Sequence, residues 1–184
     1  MSRPGRIHYA WLALLLLSGC GDSGLSRQVG KSKDMYPDQE SWVSNILISR
    51  DGLLVARAVS DRMVKYDAQN LAHLLGNVRI DFFNAQGGHV SRLYSDSADV
   101  NMLNNNLLAF GNVTIQSDSG LVLSTTRLSW SHEYNMIETD DSVMFATPQL
   151  DTLYGVGFES DVDLTHWKIY QPSGVTGRGL VNEF

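Results

Sequence analysis

From Trp42 onward the chain consists of short runs in which apolar and polar residues alternate, broken at intervals by turn-forming residues. An apolar period of two belongs to a strand with one buried face, so this pattern limits the chain to antiparallel β architecture. The stretch Gly111 to Phe145 carries it most fully, with the pairs Val113 and Ile115, Leu121 and Leu123, Leu128 and Trp130, Val143 and Phe145. It is one period of a repeat. Val78, Val113, Val143 and Val175 each follow a small or polar pair (Gly76-Asn77, Gly111-Asn112, Asp141-Ser142, Ser173-Gly174) at spacings of roughly 30 to 35 residues, within the range that marks repeat architectures.

The individual elements follow from the same reasoning. Ile46 and Ile48 lead into Arg50-Asp51-Gly52, and Asp-Gly between apolar runs is a two-residue hairpin signal, with Leu53 and Val55 on the return. Ser60 to Leu75 is ambiguous, because Leu71, Leu74 and Leu75 have helical spacing while Met63 to Tyr66 alternate; the neighbouring strands favour strands here too. In Gly76 to Phe83, Val78, Ile80 and Phe82 point to one face and Asn77, Arg79 and Asp81 to the other. Asn84 to Gly88 is expected to turn, and Asn104-Asn105-Asn106 suits a left-handed corner. With no helical segment for repeated crossovers, a parallel βαβ sheet is excluded. An antiparallel jelly roll, sandwich or solenoid remains, with open edges if the sheet does not close.

The first twenty residues read differently. Arg3 and Arg6 form a positive n-region and Ala10 to Leu17 an apolar h-region, about half the roughly 20 residues needed to span a bilayer. Leu17-Ser18-Gly19-Cys20 then resembles the lipobox of bacterial lipoproteins, which implies lipidation of Cys20 and cleavage before it; an ordinary signal peptide with a chance cysteine is the alternative. Cys20 is the sole cysteine, so no internal disulfide is expected. Gly21 to Ser41 is polar, rich in Ser and Gly and aperiodic, as a flexible linker is. The expected organisation is a signal peptide over 1–19, a lipidated N-terminus and linker over 20–41, a β domain over 42–176 and a tail over 177–184.

Charge excludes one class of function. The formal net charge of -6, and -8 once Arg3 and Arg6 are removed, argues against a nucleic-acid binder, which presents a basic face. Asp140 with Asp141 and Asp161 with Asp163 would supply the paired carboxylates of a glycosidase, but aspartates between strands are usually turn formers. No catalytic residue is assigned. His73, His89, His132 and His166 lack metal-ligand spacing, so neither metal nor other cofactor is expected.

Several motifs together resemble the LptC family, the periplasmic component of the lipopolysaccharide-export machinery, with kinship to the OstA/LptA-like repeats. They are Ala109-Phe110-Gly111-Asn112-Val113, Leu123-Ser124-Thr125 with Leu128-Ser129-Trp130, Ile137-Glu138-Thr139-Asp140 before Val143, and Leu153 to Asp161 (LYGVGFESD). The resemblance implies a V-shaped β-jelly roll. It also implies a non-enzymatic carrier that takes lipopolysaccharide from an inner-membrane ABC transporter and passes it to a periplasmic bridge of LptA-like domains. Many members carry a transmembrane anchor, whereas Cys20 suggests a lipid anchor, facing the periplasm from the inner membrane. On this reading Ile80, Phe82, Ile115, Leu123, Trp130, Phe145 and Phe158 face acyl chains, and each methylene they bury is worth about 0.8 kcal/mol. The same residues would equally fill a dry core, as in a structural or adhesive β-repeat lipoprotein. The acidic surface assigns head groups to solvent, to divalent cations or to isolated bases such as Arg79, Arg92, Arg127 and Lys168. Gly155 and Gly157 mark an expected partner edge by strand addition, or a bulge near Phe158.

Overall fold

Turn chemistry sets the chain path. The computed structural model describes residues 36–149 and 151–176, and within them nine strands run as an antiparallel meander: β1 (Gln39–Arg50), β2 (Leu53–Tyr66), β3 (Leu71–Phe83), β4 (His89–Asn101), β5 (Leu107–Ser117), β6 (Val122–Ser131), β7 (Met136–Ala146), β8 (Thr152–Asp161) and β9 (Trp167–Thr176). Asp51 and Gly52 both take positive φ (52° and 81°), the geometry of the two-residue hairpin expected from Asp-Gly. Asn84 Oδ1 accepts hydrogen bonds from the backbone N–H groups of Gln86 and Gly88, closing the β3–β4 turn. Asn105 is left-handed at φ 60°. The ambiguous segment from Ser60 resolves as the end of β2, a single 3₁₀ turn (Asp67–Gln69) and the start of β3. The Leu71, Leu74, Leu75 spacing is a coincidence of sequence: Leu74 is buried while Leu75 is on the outer face. Strand β1 begins at Gln39, three residues ahead of Trp42, where Glu40 accepts a hydrogen bond from Arg62 Nε.

Nine strands in sequence order make one sheet, and one flat sheet cannot enclose a core. The sheet bends along a line through the middle of its strands. Gly76-Asn77 of β3 lie opposite Asp96 alone, Gly111-Asn112 of β5 opposite Thr126, and Asp140-Asp141 of β7 opposite Gly157. Each is a β-bulge, which bends its strand and sharpens its twist. Along β3 itself the side-chain alternation runs through the bulge in phase, so Ala72 and Leu74 before the bend and Val78, Ile80 and Phe82 after it all face inward.

Side chains lock the bend in place. Asp61 accepts a hydrogen bond from Asn77 Nδ2 at 2.7 Å, and Asp96 accepts one from Asn112 Nδ2 at 2.8 Å. Beside them Ser60 Oγ donates to the carbonyl of Arg62 and Ser95 Oγ to that of Ser97. The spacing from 61 to 96 and from 76 to 111 is the same 35 residues, so the sequence repeat is a repeat of corners. In the third corner the polarity is reversed. Thr126 Oγ1 and Arg127 donate to Asp141 across the same bend. In the fourth period the ladder also slips, with Ser173 left without a ladder partner between the Tyr154–Gly174 and Gly155–Pro172 pairs, but near the end of β9. Asp140-Asp141 therefore sits within a strand rather than at a turn between strands. Asp161 is a turn former as expected, accepting from the N–H groups of Thr165 and His166.

Bending brings the two halves of the sheet face to face. Phe82, beyond its corner, meets Trp130 of the opposite half at 5.3 Å between ring centroids; Phe145 meets Phe158 at 5.5 Å and Trp167 at 4.8 Å. Ser91 Oγ, buried on β4, donates to the carbonyl of Val162, 71 residues away at the end of β8. The result is an all-β antiparallel jelly roll of the expected kind.

The corner glycines are required by both φ and space. Gly111 has φ 72°, and a Cβ there would lie 2.4 Å from Asp96 Oδ2, whereas at Gly52 (φ 81°) a Cβ would meet nothing within 4 Å. Gly52→Ala is expected to cost about 1 kcal/mol, the left-handed penalty alone. Gly111→Ala is expected to cost about 2–4 kcal/mol, because it also displaces the Asp96 carboxylate. Equal urea midpoint shifts for the two variants would refute the role of the corner.

Candidate functional site

The residues expected to face lipid are assembled by the bend. Ile80, Phe82, Ile115, Leu123 and Phe145 come from one layer, Trp130 and Phe158 from the other, and all seven are buried in one apolar cluster. Their alternation along β3, β5, β6, β7 and β8 puts them on the inner face; the mid-strand corners make the two inner faces meet. Trp130 donates its indole N–H to Asn135 Oδ1, so its one polar atom is satisfied at the rim of the core. In this closed arrangement the aromatic rings touch one another across the seam. Surface clefts of about 270 and 360 Å³ lie elsewhere, lined by residues such as Arg127, Ser129, Glu138 and Tyr134.

The strand edges differ from expectation. Gly155 and Gly157 are on β8, which is paired with β7 on one side and β9 on the other, so they do not form an edge. Their absent side chains let β9 approach: a Cβ on Gly155 would lie 2.3 Å from Ile169 Cγ2 and 2.7 Å from the carbonyl of Gln171, and Gly157 has φ 76°. Among the described residues the sheet ends at β1 and β9. Pro172 sits in β9, the kind of strand that tolerates a residue without an N–H. On β1, Trp42 and Val43 are 68% and 80% exposed, and Val43 has φ 56°, which a β-branched residue adopts only under strain.

Alternation assigned Asp81 to the outer face, and there it lies, yet its side chain is wholly inaccessible. Register supplies the cover. Arg57 of β2 and Arg92 of β4 are its direct cross-strand neighbours. Arg57 Nη2 donates to Oδ2 at 3.0 Å and Arg92 Nε to Oδ1 at 2.5 Å, while Arg79 Nε lies 3.8 Å and His89 Nε2 3.4 Å away. Burial alone would raise the Asp81 pKa. The hydrogen bonds from Arg92 and Arg57, with the charges of Arg92 and Arg79, outweigh it and hold the carboxyl below its ordinary value. The bases expected to stand alone are thus engaged: Arg79 and Arg92 around Asp81, Arg127 with Asp141 at 2.9 Å, and Lys168 over the Tyr170 ring at 4.4 Å. The one sequence signal for this cluster is the Arg79-x-Asp81 spacing; Arg57 and Arg92 join it only through register.

Metal chemistry finds no cluster of three or more His, Cys, Asp or Glu among the described residues. No described helix is long and apolar enough to cross a membrane. Cys20 and the rest of the leader, most of the linker and residues 177–184 lie outside the described residues. The family model described as "Lipopolysaccharide-assembly, LptC-related" matches residues 10–176. The chain belongs to the LptC family. Comparison with curated proteins gave no match. LptC membership implies a role in lipopolysaccharide transport in the cell envelope, and the all-β jelly roll agrees with it.

The Asp81 cluster gives a pH signature for this LptC chain. A carboxyl whose folded pKa lies below its unfolded value near 3.8 adds stability above that value and loses it as pH falls through the lower folded one. Asp81→Asn is expected to lower stability by about 1–3 kcal/mol at pH 7, moderated by solvent around half-exposed arginines. The gap from wild type should close below pH 3.8. A gap in urea midpoints that is unchanged between pH 7 and pH 3 would contradict the assignment.

Proposed function

We propose that this LptC-family chain is a non-enzymatic carrier of lipopolysaccharide, receiving it from an inner-membrane ABC transporter and passing it to a periplasmic bridge of LptA-like jelly rolls. A lipid on Cys20 tethers it to the membrane, facing the periplasm, with the residues between Cys20 and the start of β1 at Gln39 as the tether. Family membership over residues 10–176 carries the reading. The single meander supports it physically: among the described residues β1 and β9 each pair on one side only, which suits strand addition, β1 toward one partner and β9 toward the next. Each added strand would extend the sheet and continue the inner face from one domain to the next.

Lipopolysaccharide acyl chains would lodge where Ile80, Phe82, Ile115, Leu123, Trp130, Phe145 and Phe158 now meet. Entry requires the layers to part, breaking the Phe82–Trp130 and Phe145–Phe158 contacts. One long acyl chain returns on the order of 10 kcal/mol of apolar burial in exchange. The complete burial of these seven residues favours the second reading, a structural β-repeat lipoprotein with a permanently filled core.

A photo-crosslinking side chain separates the two. Placed at Phe82, Trp130 or Phe145, it is expected to capture lipopolysaccharide in cells, while one at outward Tyr134 does not. Equal capture at inner and outer positions, or none at all, would support the filled core. Depletion of the protein should cause lipopolysaccharide to accumulate at the inner membrane.

A further inference from the structure

The cluster around Asp81 holds more positive charge than one carboxylate needs. Arg57, Arg79 and Arg92 bring three full charges to a single buried acid, with their side chains 41%, 42% and 40% exposed. Nearby, Asp118 is held at 2.9 Å by His89 Nδ1. The donors are also in excess: three guanidinium groups offer roughly fifteen N–H bonds and a carboxylate about four acceptor positions. Arg57 Nε and Arg79 Nε are enclosed without a hydrogen-bond partner in the protein. On a chain of net charge -6 this is a concentrated, preorganised cationic patch.

Geometry suits it to a small tetrahedral anion. The three guanidinium groups converge from β2, β3 and β4 with Asp81 beneath as the common anchor, which fixes side chains that would otherwise lose rotamer freedom on binding. Arg92 and Tyr94 also line a cleft of about 300 Å³ with His89, Gln116, Ser117 and Asp118. The carboxylate of Asp118 on that cleft disfavours an anion on its side and directs one toward Arg79 and Arg57.

We infer that the outer-face arginines Arg57, Arg79 and Arg92, organised by Asp81, form a binding site for a phosphate group, presented either by an anionic lipid or by a soluble phosphate. The inference does not depend on lipopolysaccharide entering the core, because the site lies on the opposite face of the sheet from Ile80 and Phe82. Phosphate accepts several guanidinium N–H bonds at once, an arrangement that arginine favours over lysine.

The full chain in neutral detergent, titrated with inorganic phosphate at constant ionic strength against chloride, tests it through the arginine Nε–H resonances. Saturable shifts of the Arg57, Arg79 and Arg92 signals are expected. Arg79→Gln is the informative variant, since Arg79 lies 3.8 Å from Asp81 and both hydrogen bonds to that carboxylate survive its loss. It should weaken phosphate roughly tenfold, the loss of one charge-assisted interaction, while Lys65→Gln, whose ammonium group pairs with Asp67 at 2.8 Å, leaves binding unchanged. Vesicles containing phosphatidylglycerol, compared with phosphatidylcholine alone, identify the source. Perturbation of the same resonances by phosphatidylglycerol assigns the site to lipid phosphate, and saturation by inorganic phosphate only assigns it to a soluble one. Shifts that match the chloride control, or an Arg79→Gln variant that binds as wild type does, would overturn the site.

Discussion

The bend in the middle of the strands is the constraint on which the rest of the molecule depends. A meander of nine strands satisfies its ladder hydrogen bonds without any bend, but its apolar face would then lie open to water. Bulges on β3, β5 and β7 turn that face onto itself, keeping the in-out alternation of those strands while it switches parity on β4, β6 and β8. Glycine followed by asparagine supplies the positive φ values at the first two corners, and an aspartate on the preceding strand fastens each one. Where the third corner lacks glycine on its bulged strand, Thr126 and Arg127 fasten it from the other direction, and Gly157 supplies the positive φ across the ladder. The core aromatics meet because these corners hold.

This construction leaves the domain closed in one direction and open in another. Across the layers, Phe82 against Trp130 and Phe145 against Phe158 make a dry seam. Along the sheet, β1 and β9 each keep one side without a strand partner among the described residues. The seam is held by apolar contacts, which have no preferred direction. The buried hydrogen bond from Ser91 to the Val162 carbonyl is a polar contact across the seam, and opening would have to spare or break it.

Electrostatics works on the outer face by a different rule. Asp81 is a carboxylate on the solvent side of a sheet that sees no solvent, because arginines from both neighbouring strands and its own cover it. A single charge on the centre strand thereby fixes three on its surroundings. The same logic at one-to-one stoichiometry, Arg127 with Asp141, neutralises itself and serves the corner instead.

The sequence by itself determined the strand class, the hairpin at Asp51-Gly52, the asparagine corners and the inward face of Val78, Ile80 and Phe82, because each depends on local φ preference or on a period of two. The order and spacing of four motifs, from Ala109–Val113 to the LYGVGFESD stretch, also pointed to the LptC family. Tertiary structure decided what the repeats do. That Gly76-Asn77 and Gly111-Asn112 are corners within strands rather than turns between them depends on what lies opposite, which no local pattern encodes. That Gly155 and Gly157 sit inside the sheet depends on β9 pairing beyond them. The gathering of Arg57, Arg79 and Arg92 on Asp81 depends on the register of three strands, and a shift of one residue in either neighbour would turn its arginine to the opposite face.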